Sequence, residues 1–171
     1  ELNVSGGYIA GGEEEVVRRC QPPEAIREQV HYRPQGVDYF ELDNPSLTDE
    51  GRQAIRRFCA THLTSLQNPS SSLRVEGFTD PVGTPQRNDE LSRLRAVNTL
   101  QAMRDIMGNR LGIPQGQQEA EGLGETPAYL GIRAELRALG QELPSNEDLA
   151  DYEAPHWRKV EVSIGGQVLL T

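Results

Sequence analysis

A strand, a turn and a long helix follow one another between residues 73 and 107, and this segment limits the possible folds more than any other part of the chain. Leu73 and Val75 share one face of an alternating apolar and polar run, which is typical of a half-buried β-strand. A turn rich in proline and glycine follows. Residues 88–107 then carry apolar side chains at helical spacing, and Gly108 ends the predicted helix because glycine tolerates a left-handed backbone. The residues predicted to face inward are Leu91, Leu94, Val97, Leu100 or Met103, and Met107.

The same patterns predict further strands and helices on both sides of this segment. The predicted strands cover residues 37–42, 73–78, 119–124 and 160–164, and the predicted helices cover residues 22–30, 48–66, 88–107 and 128–139. Thr48 is expected to cap its helix, with Asp49 and Glu50 in the first turn, where the helix dipole favours anions. The last helix is predicted to bury Ile132, Leu136 and Leu139. At roughly 150 residues per domain, 171 residues predict one domain, and alternating strands and helices predict a two-layer α/β fold.

The charge balance excludes some classes of partner. The chain has 17 basic and 26 acidic residues, which gives a net charge of −9. Because there is no basic surplus to displace counterions from phosphates, nucleic acid is not expected as a partner. No apolar run approaches the ~20 residues that cross a bilayer, and residues 1–4 lack the basic and apolar character of a signal segment. Neither a transmembrane nor a signal segment is therefore expected in this sequence.

Candidate binding residues lie around the turn between the strand and the long helix. Thr79 and Asp80 follow the strand, Asn88 lies near the start of the helix, and Arg95 lies seven residues further on the same helix face. If the turn folds the helix back on the strand, a carboxylate, an amide and a guanidinium meet at one rim of the sheet. Such a set suits a zwitterionic ligand rather than acid–base catalysis. The alternative is that Asp80 caps the turn and pairs with Arg95 for structural reasons alone.

The same segment carries a family motif. Its residues are Gly77-Phe78-Thr79-Asp80, Gly83, Asn88, Leu91-Ser92 and Arg95-Ala96. They resemble, with matching spacings, the core of the OmpA-like C-terminal domain, a family that includes MotB and the Pal lipoproteins and binds peptidoglycan non-covalently. Residues 122–127 and 157–161 resemble two further family segments, so the resemblance covers about residues 37–165.

The resemblance implies a fold and a domain organisation. The implied fold is a βαβαβ-type mixed sheet backed by helices, with an added helical and acidic insertion at about 128–156, before the last strand. The domain would cover residues 36–171. Residues 1–35 form a lead-in segment that can pack on the domain.

The resemblance also implies a binding function without catalysis and without a cofactor. Asp80 and Arg95 would hold the amino and carboxylate groups of meso-diaminopimelate in the stem peptide, Thr79 and Asn88 would hydrogen-bond to it, and Arg158 would lie at the edge of the pocket. Peptidoglycan would be the partner, in the periplasm or envelope of a Gram-negative-type bacterium and in association with the outer membrane. We expect that replacing Arg95 weakens binding and leaves the fold intact, because an arginine at a rim supports little of the core.

The sequence departs from the family pattern at three places. Phe78 replaces the usual His, and it either packs inward or leaves a contact of that His unmade. Trp157 replaces the usual Asn, and its ring either stacks on the ligand or covers the core. Phe78, Trp157 and Gly83 are expected to support the binding residues. The acidic insertion either flanks the pocket or is a solvated elaboration. A second hypothesis follows from these departures: the domain has lost wall binding and docks a protein partner, for example in a secretion or contractile-injection apparatus.

Cysteines and histidines indicate no metal site. Cys20 and Cys59 can form a disulfide that closes a loop of about 39 residues, or Cys59 can be a core residue of its helix. His31, His62 and His156 have no ligand spacing, so neither a metal site nor a catalytic group is expected from them.

Overall fold

The computed structural model describes residues 8–9, 12–21, 25–34 and 37–169. Its strands are β1 (Tyr8–Ile9), β2 (Gly12–Gln21), β3 (Ala25–Pro34), β4 (Ser72–Gly77), β5 (Gln118–Gly122) and β6 (Val160–Leu169). Its helices are α1 (Asp49–Thr61), α2 (Leu63–Gln67), α3 (Pro85–Met107), α4 (Thr126–Ala138) and α5 (Asn146–Leu149). Short 3-10 turns cover Gly108–Arg110, Gln115–Gln117 and Pro155–Trp157.

The strands form one mixed sheet in the order β1-β2-β3-β6-β4-β5. Strands β4 and β5 are parallel, and the other neighbours are antiparallel. Val75 pairs with Val162 on one side and with Ala120 on the other. The strands predicted at 73–78, 119–124 and 160–164 correspond to β4, β5 and β6, and the prediction of a mixed sheet with helices is confirmed.

The main core lies between this sheet and helices α1 and α3. Ile55 and Phe58 of α1, Met103 of α3 and Val75 of β4 are all fully buried in it. Thr48 caps α1, because its side-chain oxygen accepts the N–H of Gly51 at 3.0 Å. The predicted cap of this helix is therefore confirmed.

Two predicted elements are wrong. Residues 37–42 form no strand: the adjacent residues Tyr39 and Phe40 are both buried, which an alternating strand does not allow. Residues 25–30 are not helical but belong to β3, in which Val30 pairs with Ile164 of β6. Strand β3 thus occupies the place beside β6.

The buried face of α3 matches the prediction at Leu91, Leu100, Met103 and Met107 and differs from it at Val97. Val97 is 41% exposed, whereas Arg95, Ala96 and Thr99 are buried. Residues three apart on a helix drift by about 60° per step, so the series Leu91, Leu94, Val97 leaves the buried face. Leu139, which was predicted to be buried with Ile132 and Leu136, lies just beyond the end of α4 and is exposed.

Segment 128–156 has a small apolar cluster of its own. Ala128 and Ile132 of α4 pack with Leu149 of α5 and with Ala154. Among the described helices, none has the length and apolar character needed to span a membrane.

Cys59 has a free thiol and is buried in the main core. The structure therefore has the second of the two arrangements predicted for this residue, not the disulfide with Cys20. The side chain of Cys20 lies outside the described residues.

Candidate ligand-binding site

The turn from β4 to α3 folds the helix back on the strand, as the sequence predicts. A Cβ atom on Gly77 would lie 2.0 Å from the carbonyl oxygen of Ser92, so strand and helix touch through their backbones. Gly83 has a φ of +102°, a backbone conformation that favours glycine, and Thr84 then caps α3 by accepting the N–H of Arg87. These features bring residues 78–80 alongside α3.

The carboxylate of Asp80 is only 3% exposed and already has partners. Its Oδ2 accepts the Nε–H of Arg158 at 3.1 Å and faces the backbone N–H of Ala154 at 3.4 Å. Arg158 also lies 3.7 Å from the exposed carboxylate of Glu153. The ion-pair partner of Asp80 is therefore Arg158, where the sequence suggested Arg95.

Arg95 is 1% exposed, and three backbone carbonyls hold its guanidinium. Nε, Nη1 and Nη2 donate to the carbonyl oxygens of Asn44, Phe78 and Glu41 at 3.1, 3.0 and 3.0 Å. Burial lowers the pKa of Arg95 to about 10, and the nearby carboxylate of Asp80 opposes that shift. The expectation that Arg95 supports little of the fold is therefore wrong, because its side chain ties the 41–44 loop to the site.

Asn88 and Thr79 lie beneath the same turn. Asn88 is 1% exposed and donates to Glu125 Oε2 at 2.8 Å and to the carbonyl of Val82 at 3.1 Å, so it fixes the turn. Thr79 is fully buried, and its hydroxyl has no hydrogen-bond partner among the described residues. That hydroxyl is a polar group available to a ligand that reaches it.

Aromatic rings close one side of the site. Phe78 is 5% exposed, which corresponds to the predicted inward packing, and its ring centroid lies 6.1 Å from that of Trp157. The indole ring of Trp157 rests on α4, where a Cβ atom on Gly131 would approach it to 2.0 Å. Lys159 Nζ lies 4.6 Å from the centroid of the indole and 5.0 Å from that of Phe78. Trp157 thus covers apolar surface beside Asp80.

The structure brings Asp80, Arg95 and Arg158 together and uses Asn88 to shape the turn. Sequence reasoning missed Glu125, which accepts from Asn88, and Ala154, whose N–H faces Asp80. The position of Glu125 just before α4 gives no distinguishing signal, and a backbone donor leaves none in any sequence.

The site can hold charged groups of both signs. One buried carboxylate and two guanidinium groups lie close enough to affect one another electrostatically, an arrangement that suits a ligand with an ammonium and carboxylates. Among the described residues, no three His, Cys, Asp or Glu side chains are grouped so that they could hold a metal ion. Of the histidines, His156 pairs with Glu135 at 3.0 Å on the surface, and His62 packs against the ring of Phe58.

Comparison with known proteins identifies the family of the chain. The sequence profile of the OmpA family matches residues 39–128, which include the whole turn from β4 to α3. The chain belongs to the OmpA family. It is 41% identical over 78 residues to outer membrane porin F of Pseudomonas aeruginosa, across 45% of this chain and 21% of that protein. It is 29% identical over 169 residues to outer membrane protein A of Citrobacter freundii, across 96% of this chain and 65% of that protein. The chain thus spans less than two thirds of either OmpA-family relative.

The fold agrees with that of a solved OmpA-like domain. The OmpA-like domain of FopA1 from Francisella tularensis superposes with a TM-score of 0.51 at 17% identity, covering 95% of this chain and 86% of that one. At that identity the likeness supports the fold alone.

Proposed function

We propose that this domain binds peptidoglycan non-covalently through the diaminopimelate of the stem peptide and so anchors a larger protein or assembly to the bacterial cell wall. The observation that carries the proposal is the buried carboxylate of Asp80, held beside Arg95 and Arg158 in an OmpA-family domain. Diaminopimelate has an ammonium for the carboxylate and a carboxylate for a guanidinium. Thr79 adds a hydroxyl that lacks an internal partner.

Three features of the chain support a binding role without catalysis. The acid of the site pairs with an arginine and the amide of Asn88 braces a turn, so these groups are arranged to hold charge rather than to transfer protons. The relatives are named as outer membrane proteins, which supports a location in the periplasm or cell envelope. Modest affinity at one site suffices when the domain is one arm of a multivalent assembly.

The test compares two muropeptides and two variants. A tripeptide muropeptide with meso-diaminopimelate is titrated calorimetrically beside one with L-lysine, which keeps the ammonium and lacks the neighbouring carboxylate. We expect tighter binding of the first. Asp80→Asn should weaken binding of the diaminopimelate muropeptide by about 1.5–3 kcal/mol, the range for hydrogen bonds to charged groups. Asp105→Asn changes an exposed carboxylate at the far end of α3 and should bind normally.

Two results would count against this function. If Asp80→Asn binds as tightly as Asp105→Asn, Asp80 does not hold the ligand. If both muropeptides bind equally, diaminopimelate is not the group that is recognised.

A second function is a protein-docking domain that has lost wall binding. One observation favours it: Asp80 and Arg95 are both buried and satisfied by internal partners. It predicts that neither muropeptide binds and that neither shifts the NMR resonances of these two residues.

A further inference from the structure

Five residues lie over the carboxylate of Asp80 and are here called the strap, residues 154–158. Ala154 at one end and Arg158 at the other both donate to Oδ2 of Asp80. The strap is a tight turn, in which the N–H groups of Trp157 and Arg158 donate to the carbonyls of Ala154 and Pro155 at 2.8 and 3.0 Å. It therefore moves as one unit, and it contacts Asp80 at both ends.

The strap occupies the place that a ligand ammonium would need. The guanidinium of Arg158 is a cation at hydrogen-bond distance from the carboxylate, and with it in place Asp80 is 3% exposed. A second cation cannot reach Oδ2 from solvent while both strap donors are bound. Exchanging the guanidinium of Arg158 for a ligand ammonium costs the Asp80 carboxylate little interaction energy, because an ammonium supplies the same charge and the same kind of hydrogen bond.

The closed strap is incompletely satisfied. The indole N–H of Trp157 is buried without a hydrogen-bond partner among the described residues, and an unpaired buried donor is unfavourable relative to a hydrated one. At its other end the strap is held by packing: Ala154 follows the exposed residues 151–153 and is buried in the small apolar cluster with Ile132 and Leu149. Lifting the strap would hydrate this N–H and expose Asp80.

We infer that the strap is a gate on the wall-binding site: Arg158 closes it by pairing with Asp80, and the ligand opens it by exchanging its ammonium for Arg158. This inference rests on the proposed function and adds that the site is closed until the strap moves. The released guanidinium of Arg158 then faces the ligand, where it pairs with a carboxylate. Diaminopimelate, which has both groups at one carbon, matches this exchange.

The chain provides its own probe of the strap. Trp157 is the only tryptophan in the sequence, so fluorescence excited at a wavelength that tyrosine does not absorb reports on the strap alone. Adding the diaminopimelate muropeptide to the unmodified protein should shift Trp157 emission to the red and increase its quenching by acrylamide. The shift should follow the calorimetric binding curve. Without ligand, Asp80→Asn should also increase quenching relative to Asp105→Asn, because the strap loses its ion pair.

One substitution opens the strap without changing a binding residue. Gly131→Ala places a methyl group against the indole ring of Trp157 and should displace it, whereas Gly116→Ala has open space and is the matched control. If the closed state dominates, Gly131→Ala should tighten muropeptide binding by up to about tenfold, since the apparent affinity scales with the open fraction. Gly116→Ala should bind as the unmodified protein does.

The outcomes separate the gate from the function. Binding with no change in Trp157 emission, or equal binding by Gly131→Ala and Gly116→Ala, overturns the gate and leaves the proposed function standing. Binding by Gly131→Ala alone supports the gate. If neither the unmodified protein nor Gly131→Ala binds, the proposed function fails and the gate fails with it. Equal quenching in Asp80→Asn and Asp105→Asn would show that the ion pair between Asp80 and Arg158 does not hold the strap closed.

Discussion

Arg95 Nη1 donates to the carbonyl oxygen of Phe78 at 3.0 Å, and this contact joins the middle of α3 to the residue that follows β4. The other two nitrogens of the same guanidinium bind the carbonyls of Glu41 and Asn44. One side chain therefore fastens three parts of the chain around the site. Removing this side chain therefore removes the charge and the structural contacts together.

Arg95→Ala should destabilise the fold as well as weaken binding. Removing the guanidinium takes a donor from the buried carbonyl of Phe78 and from the part-buried carbonyls of Glu41 and Asn44, and a buried polar group left without its partner costs about 1–3 kcal/mol. Urea denaturation measures the change. Arg95→Lys keeps the charge but has a single nitrogen, so its stability should lie between that of the unmodified protein and that of Arg95→Ala.

Arg93 provides the control for this experiment. It lies on the same helix and is exposed, so Arg93→Ala should change the unfolding free energy by no more than about 0.5 kcal/mol. Equal urea midpoints for the Arg93 and Arg95 alanine variants would mean that the carbonyl contacts contribute nothing.

The sequence predicted three of the six described strands, β4, β5 and β6, and the three long helices because their signals are local. Periodicity identifies β4 and β6, and the side chain of Thr48 forms its cap within its own turn. It failed at residues 37–42, whose burial depends on α1 and α3 rather than on a sheet partner. In the site, the family motif identified Asp80 and Arg95, but it could not give their partners. Arg158 is 78 positions from Asp80, and the carbonyls that hold Arg95 belong to every residue type alike.

Thr48→Ala should destabilise the protein by about 0.5–2 kcal/mol, the range for lost N-caps. The hydroxyl of Thr48 accepts the N–H of Gly51 and donates to the carbonyl of Asp38, so its loss affects both the start of α1 and the preceding loop. Thermal or urea unfolding checks this. Thr48→Ser keeps the hydroxyl and should retain most of the stability, so an equal loss in both variants would show that the cap is not the cause.

Cys59 should resist thiol reagents in the native protein. Burial raises the pKa of its thiol from the ordinary 9.0 to about 12, so almost no thiolate is present at pH 8, and the thiolate is the reactive form. Iodoacetamide labelling followed by peptide mass spectrometry should find Cys59 unmodified in buffer and modified in urea. Rapid native labelling would contradict its burial.

The same thiol should make stability fall at high pH. Between about pH 9 and 12 the unfolded chain has lost the Cys59 proton while the folded chain retains it. The unfolded state then binds fewer protons, so the free energy of unfolding decreases as the pH rises through this range. Cys59→Ala lacks this contribution, and the stability difference between the two proteins should therefore narrow with increasing pH. A constant difference would contradict the raised pKa.

Gly77→Ala should push α3 away from the sheet. The added methyl group would lie 2.0 Å from the carbonyl oxygen of Ser92, a backbone atom that moves only with the helix. Overpacking of this kind costs typically 1–3 kcal/mol, and the urea midpoint should fall accordingly. Gly116→Ala adds the same methyl group where no atom lies within 4 Å and should leave the midpoint unchanged. Because Gly77 immediately precedes Phe78, NMR shifts of Gly77→Ala should extend to Thr79 and Asp80. A stable variant with unshifted site resonances would show that the close contact of β4 with α3 does not position the site.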